Sequence, residues 1–298
     1  MIQPQRLFRP LQALLLAGAL VLLNASGRSE SSLEKTLKLY GKKEVEGYIQ
    51  PIADLFGANM QAGWFHSAAI PTTGLNFTVS IVGMGAVVSD DQKSYSATSP
   101  FGGTYKTATV FGGQGGTATG PGGLQYQGSA GVINASLFPL ASPQVRIGSI
   151  YGTEVALRWL PTVKAGDLGD ISFFGIGVRH SISQYLMEFP VDLAAGFAYS
   201  KFSVGDLLDF KGLSIGAQAS KKLALLTLYS GLAWEKTTLN LKYTPSTVGN
   251  AAVDIDLDGA NNFRFTVGAG LDLFILTVFA DANFGSVTNY SGGVAFGF

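Results

Sequence analysis

Residues 289–298 read NYSGGVAFGF. In an extended chain successive side chains point to opposite sides, so Tyr290, Gly292, Val294, Phe296 and Phe298 share one face. Ser291, Gly293, Ala295 and Gly297 share the other. One face is apolar and aromatic; the other is small and polar. The same period of two runs backward along the chain. Phe263, Phe265, Val267, Ala269, Leu271 and Leu273 alternate with Asn262, Arg264, Thr266, Gly268, Gly270 and Asp272. Leu213, Ile215, Ala217 and Ala219 alternate with Ser214, Gly216, Gln218 and Ser220.

A soluble sandwich would bury the apolar face against a second sheet, whereas a membrane barrel turns it to lipid and keeps the polar face inside. Three features favour lipid. The alternating runs are about nine to sixteen residues long, beyond the five or six usual in soluble sheets and long enough to cross a bilayer tilted. Their second face is rich in Gly, Ser, Thr, Asp and Arg, which a dry core does not tolerate. Aromatic residues gather near strand ends, at Tyr151, Trp159, Tyr199, Trp234, Phe284 and Tyr290, as in interfacial girdles. Composition agrees: 39 glycines, 13% charged residues and 47% hydrophobic residues, with no apolar run long enough for a spanning helix. The expected fold is an all-β transmembrane barrel of 10–12 antiparallel strands, with outer-membrane lipid around it. The terminal strand resembles the signal read by the barrel-assembly machinery, carried here by Tyr290, Val294, Phe296 and Phe298. The chain has no cysteine, which excludes thiolate metal sites and disulfides. Its formal net charge is zero, so no nucleic-acid partner is expected, and nothing calls for a cofactor.

The first 27 residues read as an export signal. Arg6 and Arg9 precede the apolar run Leu11–Leu23, and Ala25, Ser26 and Gly27 supply small residues for cleavage. Residues 28–61 then change to helical spacing. Ser31 and Glu34 form a capping-box pattern. Leu33 and Leu37, then Val45, Tyr48, Ile49 and Ile52, make an apolar stripe, with Pro51 expected to break or restart it. Two or three short amphipathic helices are expected, as a plug that enters or closes the barrel from the periplasm; the alternative is packing against the barrel rim or lying on the inner leaflet.

Residues 62–298 form the barrel, with strands near 62–70, 74–88, 144–160, 171–182, 191–203, 212–220, 224–243, 262–273, 274–284 and 289–298. Counting back from the last strand makes Lys221-Lys222 and Asp272–Phe274 short turns on the periplasmic side. It puts 161–170, 204–211, 244–261 and 285–288 outside. The Gly-rich segment 89–143 does not fit this count. It either folds into the lumen or hides two more strands, near 104–111 and 125–138.

Alternation points Arg146, Glu154, Arg158, Arg179, Asp192, Arg264, Asp272 and Asp281 inward, since Arg or Lys at the lipid midplane costs about 2–4 kcal/mol. They form either a ligand pathway or an ion-pair network that holds a narrow barrel together. The network is preferred, because side chains fill much of a small barrel. Catalysis is not expected. His180 and Ser181 are adjacent and point to opposite faces, and His66 is the only other histidine. Asp254, Asp256 and Asp258 before Gly259 imitate the start of a calcium loop, but its twelfth position is Phe265 rather than Glu. The glycines at 112–123 lack the Gly-Lys-Ser/Thr of a phosphate loop.

The run from Gly47 to Gly57 (GYIQPIADLFG), the run from Gly63 to Ala68 (GWFHSA), the run from Tyr151 to Pro161 and the run from Phe189 to Phe197 together resemble an uncharacterised outer-membrane barrel family of Bacteroidota and related bacteria. That resemblance covers nearly the whole mature chain and implies no activity. A helical segment ahead of a barrel is also similar, at the level of fold, to long-chain fatty-acid transporters. The expected function is passage or binding of a small molecule, hydrophobic ones included, through an occluded lumen. The alternative is a structural barrel that anchors a periplasmic or surface partner.

Overall fold

The computed structural model describes residues 42–164, 169–186, 188–243 and 253–297. Helix α1 (Lys42–Gln61) precedes β1 (Asn76–Val87). A long connection then carries two small hairpins, β2 (Ser94–Thr98) with β3 (Thr104–Ala108), and β4 (Thr117–Thr119) with β5 (Gln125–Gln127). The remaining strands are β6 (Leu137–Ile150), β7 (Thr153–Lys164), β8 (Asp170–Ser181), β9 (Asp192–Val204), β10 (Leu208–Leu223), β11 (Leu226–Tyr243), β12 (Val253–Asp258), β13 (Phe263–Leu273), β14 (Leu276–Phe284) and β15 (Asn289–Gly297).

Ten antiparallel strands close on themselves: β1, β6 to β11, and β13 to β15. The closing pair is β15 with β1, in register from Thr78↔Gly297 to Ala86↔Asn289. β12 pairs with Thr238–Tyr243 of β11 and β13 with Leu226–Trp234, so β12 and β13 act as one interrupted strand.

The number ten agrees with expectation through two offsetting differences. Residues 62–70 are no strand; they run through the lumen. Residues 144–160 are two strands, β6 and β7, joined at Tyr151-Gly152. A two-residue hairpin keeps outward residues at the same parity: Ile147 pairs with Val155, and the apolar alternation reads straight across the turn. Tyr151 and Gly152 both have positive φ, 50° and 71°, as a tight hairpin turn requires. The later turns are Ala224-Leu225 and Phe274-Ile275, whereas Lys221 and Lys222 lie within β10.

These differences also place the Gly-rich segment. β1 starts beside Gly297, at what we call the near rim, and ends at the far rim. Residues 88–136 therefore leave from the far rim, together with 205–207 and 285–288. No extra strands join the barrel from this segment; β3 and β5 pair only within their hairpins.

Several strands change the side on which their apolar residues lie. Near the near rim β11 turns Leu226, Leu228, Leu232 and Trp234 outward and exposed. Beyond them its outward positions are Lys236, Thr238, Asn240 and Lys242, and the buried inward ones are Leu239 and Leu241. β10 switches from outward Leu213 and Ile215 to inward Leu208 and Phe210, and β9 from outward Phe197 to inward Phe202 and Val204. β1 and β6 do the same, with inward Val82, Met84, Phe138 and Leu140 at the far end. The near part has an apolar outside and a polar inside. The far part is an ordinary dome with an apolar core and a polar surface.

Helix α1 fills the dome. Every residue from Pro51 to Gln61 is buried, as expected of a helix enclosed on all sides. Phe56 packs 4.5 Å from the rings of both Phe202 and Phe210 and 6.1 Å from Phe138. The helix continues through Pro51, which the sequence pattern placed at a break; enclosure offsets the lost backbone hydrogen bond. Gly57 lets the helix approach β11, since a Cβ there would lie 2.8 Å from Thr237 Cγ2. Val110, Phe111 and Ile133 of the Gly-rich segment join the same core, and the Tyr48 hydroxyl donates to Ala130 O at 2.9 Å. Of the two or three helices expected over residues 28–61, those before Lys42 lie outside the described residues.

Candidate functional site

Below the dome, at the level of the apolar belt, the lumen has two unlike halves. The β6–β8 side is packed. The chain from Ala62 to Ile70 descends there, and the wall's side chains hold its backbone. Arg158 is fully buried and donates to Met60 O at 3.2 Å, Ala62 O at 2.8 Å and Gln144 Oε1 at 2.9 Å. Gln144 donates to Trp64 O at 3.1 Å, and the Arg158 guanidinium lies 4.1 Å over the Trp64 ring. Two inward glycines of β8 make room for that indole; a Cβ at Gly175 would stand 2.8 Å from Trp64 Cη2, and one at Gly177 3.0 Å from Cε3.

A second layer lies nearer the near rim. Arg179 Nε donates to Glu154 Oε1 at 3.0 Å, and Arg146 Nη1 is 3.8 Å from the same oxygen. Arg179 also donates to Ser67 O and stacks 4.5 Å over the Phe65 ring. Arg146 Nη2 lies 3.0 Å from His66 Nε2. A guanidinium can only donate, so His66 accepts at Nε2 and is neutral, with its proton on Nδ1. The His66 ring stacks on Phe279 at 4.5 Å.

The opposite half, against β9–β11, β13 and β14, is hollow. Its wall presents Gly196, Ala198, Ser214, Gly216, Gly231 and Ala233 inward, around a partly open cavity of about 60 Å³. The polar groups around this space are Gln218, Tyr229, Arg264, Thr266, Asp281 and Asn283; Trp64 and Phe65 face it from the descending segment. The wall beside it is unbroken, with β10 and β11 in register from Leu208↔Leu241 to Leu223↔Leu226. Asp281 accepts from Tyr229 Oη at 2.9 Å, from Asn283 Nδ2 at 2.6 Å and from Ser291 Oγ. Arg264 Nη1 stands 2.9 Å from Glu235 Oε1, close enough to balance its charge but off the hydrogen-bonding direction, so neither atom makes a hydrogen bond.

The eight inward charges read from the sequence are thus distributed. Arg146, Glu154 and Arg179 share one cluster, and Arg158 has its own layer. Arg264 and Asp281 face the hollow half. Asp272 pairs with Lys222 at 3.0 Å near the rim. Asp192 begins β9 and, among the described residues, joins none of these groups. Period-two reasoning missed Glu235, the buried partner of Arg264, and Gln144. It also missed Trp64, Phe65 and His66, because residues 62–70 were taken for wall.

Asp254, Asp256 and Asp258, which imitate the start of a calcium loop in the sequence, stand in β12 (Val253–Asp258). All three lie on the outer face of β12, where Asn240 Nδ2 donates to Asp254 and Asp256, and Thr238 Oγ1 to Asp258. A strand splays alternate carboxylates instead of converging them, and no metal-binding cluster of His, Cys, Asp or Glu occurs among the described residues. His180 contacts Thr153 Oγ1 and Tyr185 Oη on the outer face, and Ser181 is buried inward. Of the terminal-strand residues, Tyr290, Val294 and Phe296 are exposed outward; Phe298 lies outside the described residues.

A family model matches residues 10–298. The chain belongs to the family of unknown function DUF6588. This gives the family part of the resemblance and says nothing of Bacteroidota or of fatty-acid transporters. No curated protein matches the chain. Among solved structures it is similar to Ail of Yersinia pestis, crystallised with a heparin analogue, at 9% identity over 76% of this chain and 100% of that one, TM-score 0.23. It is also similar to OmpT of Vibrio cholerae, at 12% identity over 76% and 99%, TM-score 0.25. The toluene transporter TodX of P. putida is matched at 10% identity over 76% and 67%, TM-score 0.27. Likenesses this loose carry no argument about the chain's ligand or activity.

Proposed function

We propose that this DUF6588 protein is an outer-membrane barrel, sealed at its external end, that binds a small polar molecule in a membrane-level lumen cavity. The apolar belt supports the location. From Leu226 to Trp234 the outward face of β11 covers about 26 Å of strand, and the belt is bordered at its far side by Trp234, Phe263 and Phe284, all exposed. Such a belt on a soluble protein would be a very large apolar patch. Loop lengths support the orientation: three of the four near-rim connections are two-residue turns, the fourth being residues 182–191, and the longest connection, 88–136, leaves from the far rim, as suits the outside. The export-signal reading of residues 1–27 agrees.

The observation that carries the functional part is the contrast between the two halves of the lumen. One is packed with arginine-held backbone. The other keeps polar side chains around open space beneath a plug, α1. A small molecule would reach that space from the periplasmic side, so the protein acts as a binder or a gated carrier. Planar-bilayer conductance tests this. The full-length mature protein is expected to show no steady open channel, and deletion of residues 42–61 is expected to produce one. A large ohmic conductance from the intact protein would overturn the sealed reading.

A further inference from the structure

We propose that the lumen cavity takes a small carboxylate, bound through the Arg264 guanidinium and the Trp64 indole N–H. This rests on the cavity being a binding site, as argued above, and adds the chemical class of its ligand.

Three observations point to an anion. First, the donors around the space are in surplus. Trp64 Nε1 and Arg264 Nε have no hydrogen-bond partner, although Trp64 is only 4% exposed and the Arg264 side chain 11%; Arg264 Nη1 faces Glu235 Oε1 at 2.9 Å. Buried donors are costly to leave unpaired, and a carboxylate accepts at two oxygens with up to four lone pairs. Second, the acceptor nearest in kind is already engaged: Asp281 receives hydrogen bonds from Tyr229, Asn283 and Ser291, which leaves it little capacity for a ligand's own donors. Third, the deep lumen carries an unbalanced positive charge. Four guanidiniums, Arg146, Arg158, Arg179 and Arg264, face three carboxylates, Glu154, Glu235 and Asp281. The unmatched one belongs to the cluster in which Arg146 and Arg179 share Glu154, and Arg179 lies over the Phe65 ring that borders the cavity. In a site of low dielectric such an excess attracts an anion more strongly than it would in water. Small wall residues, Gly216, Gly231 and Ala233, leave the space opposite Arg264 open.

Trp64 provides its own reporter. In the full mature chain carrying Trp159→Phe and Trp234→Phe, it is the last of the three tryptophans. The folded barrel is titrated with butyrate and succinate, and in parallel with butyramide and butylamine. The carboxylates are expected to change Trp64 emission saturably, with the amide and the amine at least about tenfold weaker, the factor a charge-assisted hydrogen bond supplies. Arg264→Gln combined with Glu235→Gln removes the charge without stranding Glu235, and is expected to abolish the preference. Arg264→Lys, a second variant that preserves the charge, is expected to retain part of it. Equal binding of butyramide, or preference for butylamine, would overturn the carboxylate assignment while leaving the cavity a binding site. No saturable response to any of the four probes would overturn both readings.

Discussion

At the scale of single residues, the barrel is held around its descending segment by arginines that grip backbone. Arg158 is the clearest case: one buried side chain satisfies Met60 O, Ala62 O and Gln144 Oε1. Hydrogen bonds to charged groups contribute about 1.5–3 kcal/mol each before compensation. Arg158→Ala is therefore expected to lower the stability of the refolded barrel by about 3 kcal/mol in urea titration, with Arg158→Lys in between because an ammonium cannot span the three acceptors. Gly57 is a second single-residue control. Leucine there would drive into Thr237 and cost about 1–3 kcal/mol by overpacking, measured as an earlier unfolding midpoint, whereas Gly57→Ala should be the mildest substitution. These roles were half legible. Alternation correctly turned Arg158 inward, but one chain's pattern carries no sign that its partners are carbonyls of a segment inside the lumen.

At the scale of elements, the turns are the informative part. Ala224-Leu225 and Phe274-Ile275 link β10 to β11 and β13 to β14 with apolar residues at the near rim; Phe274 is fully exposed, and Leu225 and Ile275 are 55% and 57% exposed. Water-facing turns favour Gly, Asn and Asp. The β11 belt alone, about 26 Å along a tilted strand, is shorter than a typical barrel's apolar band once tilt is allowed for. These turns complete it, so they are expected to sit in the periplasmic leaflet. The chain has no native cysteine, so Phe274→Cys bearing an environment-sensitive fluorophore gives the depth. Blue-shifted emission quenched by lipid-borne bromine is expected; emission quenched by acrylamide alone would contradict it. The strands themselves were readable from period two. Their count was right only because a false strand at 62–70 offset a hairpin at Tyr151-Gly152, which parity conceals.

At the scale of the whole molecule, one chain builds two kinds of barrel: a half with an apolar exterior and a polar lumen, and a dome with a polar exterior and an apolar core around α1. The switch was present in the sequence, since Leu232 and Trp234 are even-numbered and Leu239 and Leu241 odd-numbered on the same strand. It was not recognised because a strand was assumed to have one apolar face throughout. The position of that switch is the central claim, and labelling of single cysteines in intact cells tests it. Leu232→Cys and Lys236→Cys occupy the same outward face of β11, four residues apart. A membrane-impermeant maleimide is expected to modify Cys at 236 and to spare Cys at 232, placing the membrane boundary between them and the dome outside the cell. Equal labelling at both positions, or labelling at 232 alone, would contradict the account.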